Sequence, residues 1–255
     1  MKAGSLFSLE GRVAMITGAS SGLGARFAEV AAANGAKVVL VGRRTDRLNE
    51  VKTQIESAGG SAIVATADVT DAEAMKVSFD AAERAYGVVD VLVANAGIVI
   101  WERPMEVTPA TWREVMATNL DAVFWWSQEA ARRMIGAGRG GSIVTISSIA
   151  GLKVSGAFAP YGIAKTALIA ATKLLAQELG PHGIRVNTIA PGWVLSEMTS
   201  EYLQSPEGEA AMSGLPLGRH GEPADLDGPF LLLASHAGRL MTGATLVVDA
   251  GNLVR

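Results

Sequence analysis

Seven short apolar runs, separated by stretches with helical spacing, constrain this 255-residue chain more than any other feature. The runs fall at 13–16, 37–41, 62–67, 89–94, 142–147, 185–189 and 245–248. Helical patterns fill the gaps at about 23–33, 46–57, 71–86, 109–135 and 160–179, and another opens at Glu222-Pro223. Strands covered on both faces read as unbroken apolar runs, and strand–helix alternation builds a parallel sheet between two helical layers. The expected fold class is therefore α/β: one domain over residues 1–255 holding a doubly wound, seven-stranded parallel sheet. The one long irregular stretch, about 192–221, follows the end of a strand, where such folds bind ligands, and is expected to be a substrate loop.

Composition removes several functional classes. A chain that is 49% hydrophobic, with 22 cationic against 25 acidic side chains, is neither disordered nor charged to coat nucleic acid. It has no cysteine, which excludes disulfide scaffolds, thiol nucleophiles and Cys-ligated metals. His182, His220 and His236 have no ligand spacing, so no metal is expected. The longest clean apolar run, 230–234, is far shorter than the ~20 residues of a membrane helix. The stretch from Met1 to Ser5 carries one cation and leads into no apolar secretory core. The expectation is a cytoplasmic protein with no membrane or nucleic-acid partner.

The first strand leads into Thr17-Gly18-Ala19-Ser20-Ser21-Gly22-Leu23-Gly24, within which the first helix opens. Glycines there allow a tight turn and close backbone approach, and the helix N-terminus offers unpaired N–H groups to a pyrophosphate. The second strand ends in Val41-Gly42-Arg43-Arg44, with no acid to hold an adenosine ribose. A guanidinium can grip a 2′-phosphate, with Arg43 the better candidate, so NADP(H) is favoured and NAD(H) is the alternative. The other reading makes both arginines a solvated helix entrance.

Tyr161 and Lys165 are i and i+4 on one helix and share a face. An ammonium beside a phenol favours the phenolate, and bringing that pKa from about 10 to neutrality requires roughly 4 kcal/mol of preferential stabilisation. A phenol so tuned exchanges a proton with an alcohol oxygen. The same spacing also arises as a packed ring beside a snorkelling amine. Ser148 closes the fifth strand, thirteen residues before Tyr161, where it either bonds the same substrate oxygen or only caps a turn.

Taken in order, Thr17-Gly18-x-x-x-Gly22-x-Gly24, Asp68-Val69, Asn95-Ala96-Gly97, Asn119, Ser148, Tyr161-x-x-x-Lys165 and Pro191-Gly192 resemble the classical short-chain dehydrogenase/reductase family over nearly the whole chain. Within it, the likeness is to the ketoreductase branch of 3-oxoacyl-ACP reductases. The resemblance implies a single Rossmann domain of seven parallel strands and hydride transfer between nicotinamide and a carbonyl carbon. It implies Tyr161 as general acid/base, Ser148 polarising the carbonyl, Lys165 on the nicotinamide ribose, and Asn119 holding a water in a proton relay. Gly18, Ser20, Ser21, Gly22, Leu23 and Gly24 would surround the pyrophosphate. Asp68 and Val69 would meet adenine. Asn95, Ala96 and Gly97 would lie against the cofactor, and Pro191, Gly192, Val194 and Ser196 would border the nicotinamide. Ala94 stands where the family commonly has asparagine, and Asp249-Ala250-Gly251 replaces Asp-Gly-Gly.

Ile98, Trp101, Val154, Phe158, Trp193, Leu195, Met198 and Tyr202 are expected to line an outer pocket suited to an apolar ketone or secondary alcohol. An acyl-carrier-protein or CoA thioester is the alternative, with Arg103 and Arg139 as candidates for the pocket mouth. A non-catalytic dinucleotide sensor is the competitor from another class. The family resemblance implies a homotetramer, or else a homodimer, through the 109–135 and 160–179 helices; Trp125 and Trp126 fit either that contact or the core.

Overall fold

In this computed structural model, which describes residues 3–154 and 158–255, every one of the seven apolar runs is a strand. Met1 and Lys2, part of the signal-free reading, lie outside the described residues. The strands are β1 (Val13–Thr17), β2 (Lys37–Gly42), β3 (Ser61–Thr66), β4 (Val91–Ala94), β5 (Gly141–Ile146), β6 (Ile184–Pro191) and β7 (Thr245–Val248). They form one sheet in the order β3-β2-β1-β4-β5-β6-β7, parallel throughout. The order reverses between β1 and β4, and a ligand crevice is expected beyond their carboxyl ends.

Residues alternate between the two faces, which is why the strands read as continuous apolar runs. Ala14, Ile16, Val38, Leu40, Val91 and Val93 pack toward one helical layer. That layer contains α2 (Gly22–Ala33), α3 (Thr45–Ser57) and α10 (Asp227–Ala234), with the Phe27 and Phe230 rings 5.0 Å apart. Met15, Val39, Val41 and Leu92 face the other layer. Its helices are α4 (Ala72–Ala85), α6 (Ala122–Gly136) and α7 (Ala159–Leu179). The remaining helices are α1 (Ala3–Leu6), α5 (Pro109–Met116), α8 (Ser200–Leu203) and α9 (Pro206–Ser213).

Three expectations change. The 109–135 helix is not continuous. It opens as read, with Thr108 Oγ1 accepting from Thr111 N at 3.1 Å and Pro109 in the first turn, but a π-turn over Ala117–Asp121 separates α5 from α6. Such widenings shift side-chain direction by one residue and are frequent at functional sites. The 192–221 stretch is not irregular either. It carries α8 and α9, a bridge between Val194 and Gly221, and its own small core of Leu203, Met212 and Leu215. The pattern opening at Glu222-Pro223 begins as a 3-10 turn, Pro223–Leu226, before α10.

The adjacent tryptophans divide the two readings between them. Trp126 is buried against Phe79, ring centroids 5.6 Å apart, and its Nε1 donates to the Val69 carbonyl at 2.9 Å. Trp125 stays half exposed. Among the described residues, no helix is long and apolar enough to cross a membrane, and no group of three His, Asp or Glu side chains is placed to hold a metal.

Candidate active site

The end of β5 and the start of α7 meet because Gly151 has no side chain: a Cβ there would lie 2.7 Å from the Lys165 carbonyl carbon. Ser147 Oγ fastens the same junction by donating to the Lys165 carbonyl at 2.9 Å. Ser148, extended at the strand end, accepts from Ala150 N at 3.1 Å and so caps the short turn Ile149–Gly151. Its hydroxyl is also near enough to the Tyr161 phenol to draw the phenol's pKa down. Both residues border one cavity of about 320 Å³. Ser148 thus caps the turn and also borders the cavity.

Behind the phenol, Lys165 is 3% exposed. Its Nζ donates to the Ile146 carbonyl at 2.8 Å and lies 5.5 Å from the centre of the Tyr161 ring. Burial pulls the lysine pKa down to about 8. Burial likewise pushes the phenol above its ordinary value, and the Ser148 hydroxyl draws it partly back. The expectation that the ammonium brings the phenol toward neutrality is not met by the protein's own groups. Desolvation is the leading cause at both residues, and for Tyr161 it outweighs the pull of Ser148.

Asn119 sits in the π-turn, fully buried. Its Nδ2 donates to the carbonyls of Ile98 at 2.9 Å and Val115 at 3.0 Å, and its Oδ1 accepts from Ile98 N at 3.2 Å. A Cβ on Gly97 would fall 2.7 Å from that oxygen and 3.5 Å from Lys165 Nζ, so Asn119, Gly97 and Lys165 are near neighbours.

The glycine-rich turn is braced against β4. Thr17 Oγ1 accepts from Asn95 N at 3.0 Å and Ala96 N at 3.1 Å, while Asn95 Nδ2 donates to the Thr17 carbonyl at 2.9 Å. Gly18 has φ +67°, and a Cβ on Gly24 would overlap the Gly18 carbonyl oxygen. Both glycines are therefore required by the turn itself. Leu23 packs onto the α2 side of the sheet, and Gly22 opens α2 with φ +54°. Ser21 precedes α2 without a side-chain cap bond. These features fit a dinucleotide pyrophosphate: a backbone cradle that a Cβ would fill, in front of an uncapped helix N-terminus.

At the end of β2 the two arginines separate. Arg43 is largely exposed and lies 3.6 Å from Asp68. Asp68 Oδ1 accepts from Thr70 N and Oγ1, and these bonds, with Arg43, hold its carboxyl below the usual range. Arg44 reaches back over the glycine-rich turn to the hydroxyls of Ser20 and Ser21. Beyond β6, Pro191 closes the strand and Gly192 N donates to the Val248 carbonyl at 2.8 Å. The Val194 side chain is buried in the core, and its carbonyl accepts from Thr199 Oγ1 at 2.6 Å. Ser196 is tied to Thr199 through both its N–H and its Oγ, each at 3.1 Å.

A family model described as enoyl-(acyl carrier protein) reductase matches residues 18–252. Galactitol 2-dehydrogenase (L-tagatose-forming) of Cereibacter sphaeroides is 40% identical over 252 residues, 98% of each chain. A gluconate 5-dehydrogenase from Burkholderia cenocepacia J2315, solved in complex with NADP and tartrate, matches with a TM-score of 0.95 at 31% identity over 100% of both chains. A short-chain type dehydrogenase/reductase from Mycobacterium marinum matches with a TM-score of 0.92 at 36% identity over 97% of both chains. The chain belongs to the short-chain dehydrogenase/reductase family.

In this short-chain dehydrogenase/reductase the cavity wall is strongly aromatic. Trp101 stands at a ring distance of 5.2 Å from Phe158 and 6.3 Å from Trp193, and Phe158 stands 6.0 Å from Tyr161. Val154 and Met198 also line the cavity, as expected. Ile98, Leu195 and Tyr202 do not border it. Ile98 is held by Asn119, and the other two pack on the small core above the sheet. Arg139 is misplaced as a mouth residue: it precedes β5 and binds Asp90 at 2.5 Å, at the opposite end of the sheet.

Sequence reasoning missed four contributors. Thr17 and Gly151 work through packing and hydrogen bonds, with no local signal beyond the motif around Thr17. Lys153 lines the cavity, its Nζ donating to the Arg255 carbonyl at 3.1 Å. Glu197 accepts from Arg44 at 2.9 Å across 153 residues of sequence.

Proposed function

We propose that this protein is an NADP(H)-preferring oxidoreductase that interconverts a ketone and a secondary alcohol, with Tyr161 as general acid/base. The observation that carries the reading is the meeting of the Tyr161 phenol and the Ser148 hydroxyl at one cavity, with Lys165 buried directly behind. The dinucleotide supplies or accepts the hydride when bound. Gly18, Ser20 to Gly24 and the α2 N-terminus would hold its pyrophosphate, Asp68 and Val69 its adenine, and Asn95, Ala96 and Gly97 its inner face. Pro191, Gly192, the Val194 N–H and Ser196 would border the nicotinamide, and Arg43 and Arg44 would hold a 2′-phosphate. The family neighbour solved with NADP supports that preference, as does the lack of an acid at the end of β2.

In the reducing direction Ser148 donates to the carbonyl oxygen, and Tyr161 passes its proton to that oxygen as negative charge develops. A phenol raised by burial is fully protonated at neutral pH and ready as the acid. Lys165 would bind the nicotinamide ribose, and with a pKa near 8 it is poised to restore the proton. Asn119 would complete the relay by orienting a water beside Lys165. In oxidation the same groups run in reverse.

The Trp101, Phe158 and Trp193 wall favours a substrate with an apolar face. Lys153, a cation in that wall, supports a second reading in which the substrate is a polyol or sugar acid, the class named for the Cereibacter and Burkholderia relatives. A 3-oxoacyl thioester would also need cations near the mouth, where Arg103 stands in the 98–108 loop. One domain, with 192–221 as its substrate segment, serves all these readings. The exposed Trp125 on α6 and Leu174 on α7 support a homotetramer or homodimer, and the cysteine-free composition supports a cytoplasmic location.

The test is a panel of apolar ketones, polyols, sugar acids and acyl thioesters assayed with NADPH and NADH. Wild type should turn over at least one class, and Tyr161→Phe should lose roughly 10²–10⁴-fold in kcat while binding the cofactor normally. Binding without turnover by wild type across the panel would leave the sensor reading in its place.

A further inference from the structure

Glu197 lies just before α8, next to Met198 and Thr199 of the cavity wall. Its Oε2 accepts from Arg44 Nη1 at 2.9 Å and from Ser21 Oγ at 3.0 Å. Arg44 Nη2 donates to Ser21 Oγ at 2.6 Å and to Ser20 Oγ at 3.1 Å, and its Nε reaches Ser20 Oγ at 3.2 Å. One guanidinium, two hydroxyls and one carboxylate thus join the end of β2, the glycine-rich turn and the substrate segment.

A guanidinium flanked by two hydroxyls is a donor set for a tetrahedral oxyanion. Here a carboxylate of the chain itself takes those donors. We propose that Glu197 is a cofactor-specificity residue, whose carboxylate competes with the 2′-phosphate of NADP(H) for Arg44, Ser20 and Ser21 and so weakens NADP(H) relative to NAD(H). This rests on the NADP(H) preference proposed above and refines it. The preference set by Arg43 and Arg44 is held in check by an internal anion.

The geometry makes the competition workable. The Arg44 and Glu197 side chains are 47% and 60% exposed, and exposed ion pairs contribute little to stability. The phosphate can therefore displace the carboxylate without disturbing the fold. Arg44 holds the Glu197 carboxyl below its usual range, so the side chain is charged at neutral pH and repels a phosphate of nearly two negative charges. A cofactor with a bare 2′-hydroxyl lacks that phosphate, and the pyrophosphate common to both cofactors cancels from the comparison. Displacement also cuts the tie between the end of β2 and residues 196–199, so the phosphate end of the cofactor is linked to the cavity wall formed by Met198 and Thr199.

Calorimetric titration of wild type and Glu197→Gln with NADPH, NADH and adenosine 2′,5′-bisphosphate tests this. Glutamine keeps the size and a hydrogen-bonding oxygen but removes the charge. The variant should bind NADPH and the bisphosphate about three- to tenfold tighter, with NADH within about twofold, and the gain should shrink as salt is raised. Weaker NADPH binding would mean that Glu197 orients Arg44 for the phosphate, and equal changes for both cofactors would mean a clasp blind to the 2′ position. Either result, or no change, overturns the proposal. Failure of the catalytic reading is separate: a wild type that turns over no substrate, while Glu197→Gln still tightens NADPH selectively, leaves the Glu197 assignment standing. A wild type that binds NADH as tightly as NADPH, with Glu197→Gln creating no difference, defeats both.

Discussion

Lys165 points its Nζ at the Ile146 carbonyl, 2.8 Å away, and stands 5.5 Å from the centre of the Tyr161 ring. The amine is therefore anchored to the end of β5, while Ser148 is the neighbour that draws the phenol's pKa down. Both groups pay for burial, in opposite directions on the pH scale: the lysine sits low, the tyrosine high. Desolvation thus dominates both groups, with Ser148 as the second influence on the phenol.

Replacing Ser148 by alanine removes the one neighbour that draws the phenol down. The Tyr161 pKa should rise further, seen as a shift to higher pH in a difference titration of phenolate absorbance against wild type. Turnover should fall by roughly 10²-fold, because the bond to the developing oxyanion is lost as well. An unmoved phenolate titration would show that Ser148 does not touch the acid.

Lys165→Met should make the protein more stable while abolishing turnover. The folded pKa of about 8 lies below the ordinary lysine value of 10.5, so the penalty for burying charge is present in full below pH 8. It fades between pH 8 and 10.5, where the unfolded chain binds the extra proton and stability rises with pH. Denaturant titrations at pH 7 should therefore show the variant ahead by roughly 1–3 kcal/mol, after allowance for the lost bond to Ile146. The gap should close by about pH 10.5, and a gap that did not change with pH would contradict a depressed lysine.

Arg43 is largely exposed and close to Asp68, so its loss should spare the fold. Arg43→Asp is expected to raise KM for NADPH by about tenfold or more and to change KM for NADH far less. Equal loss for both cofactors would count against contact with a 2′-phosphate.

Ala250 has φ +54°, the one non-glycine residue with positive φ among the described residues. The left-handed region costs a residue with a Cβ about 1–2 kcal/mol, while glycine loses some of that advantage to its freer unfolded chain. Ala250→Gly should stabilise the protein by about 0.5–1 kcal/mol, read as a raised Tm. This is the place where Asp249-Ala250-Gly251 stands in for Asp-Gly-Gly, so the departure noted in the sequence acquires a physical cost.

What the sequence determined by itself was whatever depends on near neighbours. Strand runs, helix caps such as Thr108 with Pro109, the glycine-rich turn and the shared face of Tyr161 and Lys165 are all set within a few residues, and the sheet follows from their alternation. Tertiary structure decided what depends on distant contacts. It buried Trp126 and left Trp125 half exposed, and widened the helix at Asn119. It sent Arg139 to the far end of the sheet and brought Glu197 to Arg44. The sign of the Tyr161 shift belongs to the same class, because a pKa answers to how much water the fold removes around a group, and no spacing along the chain records that.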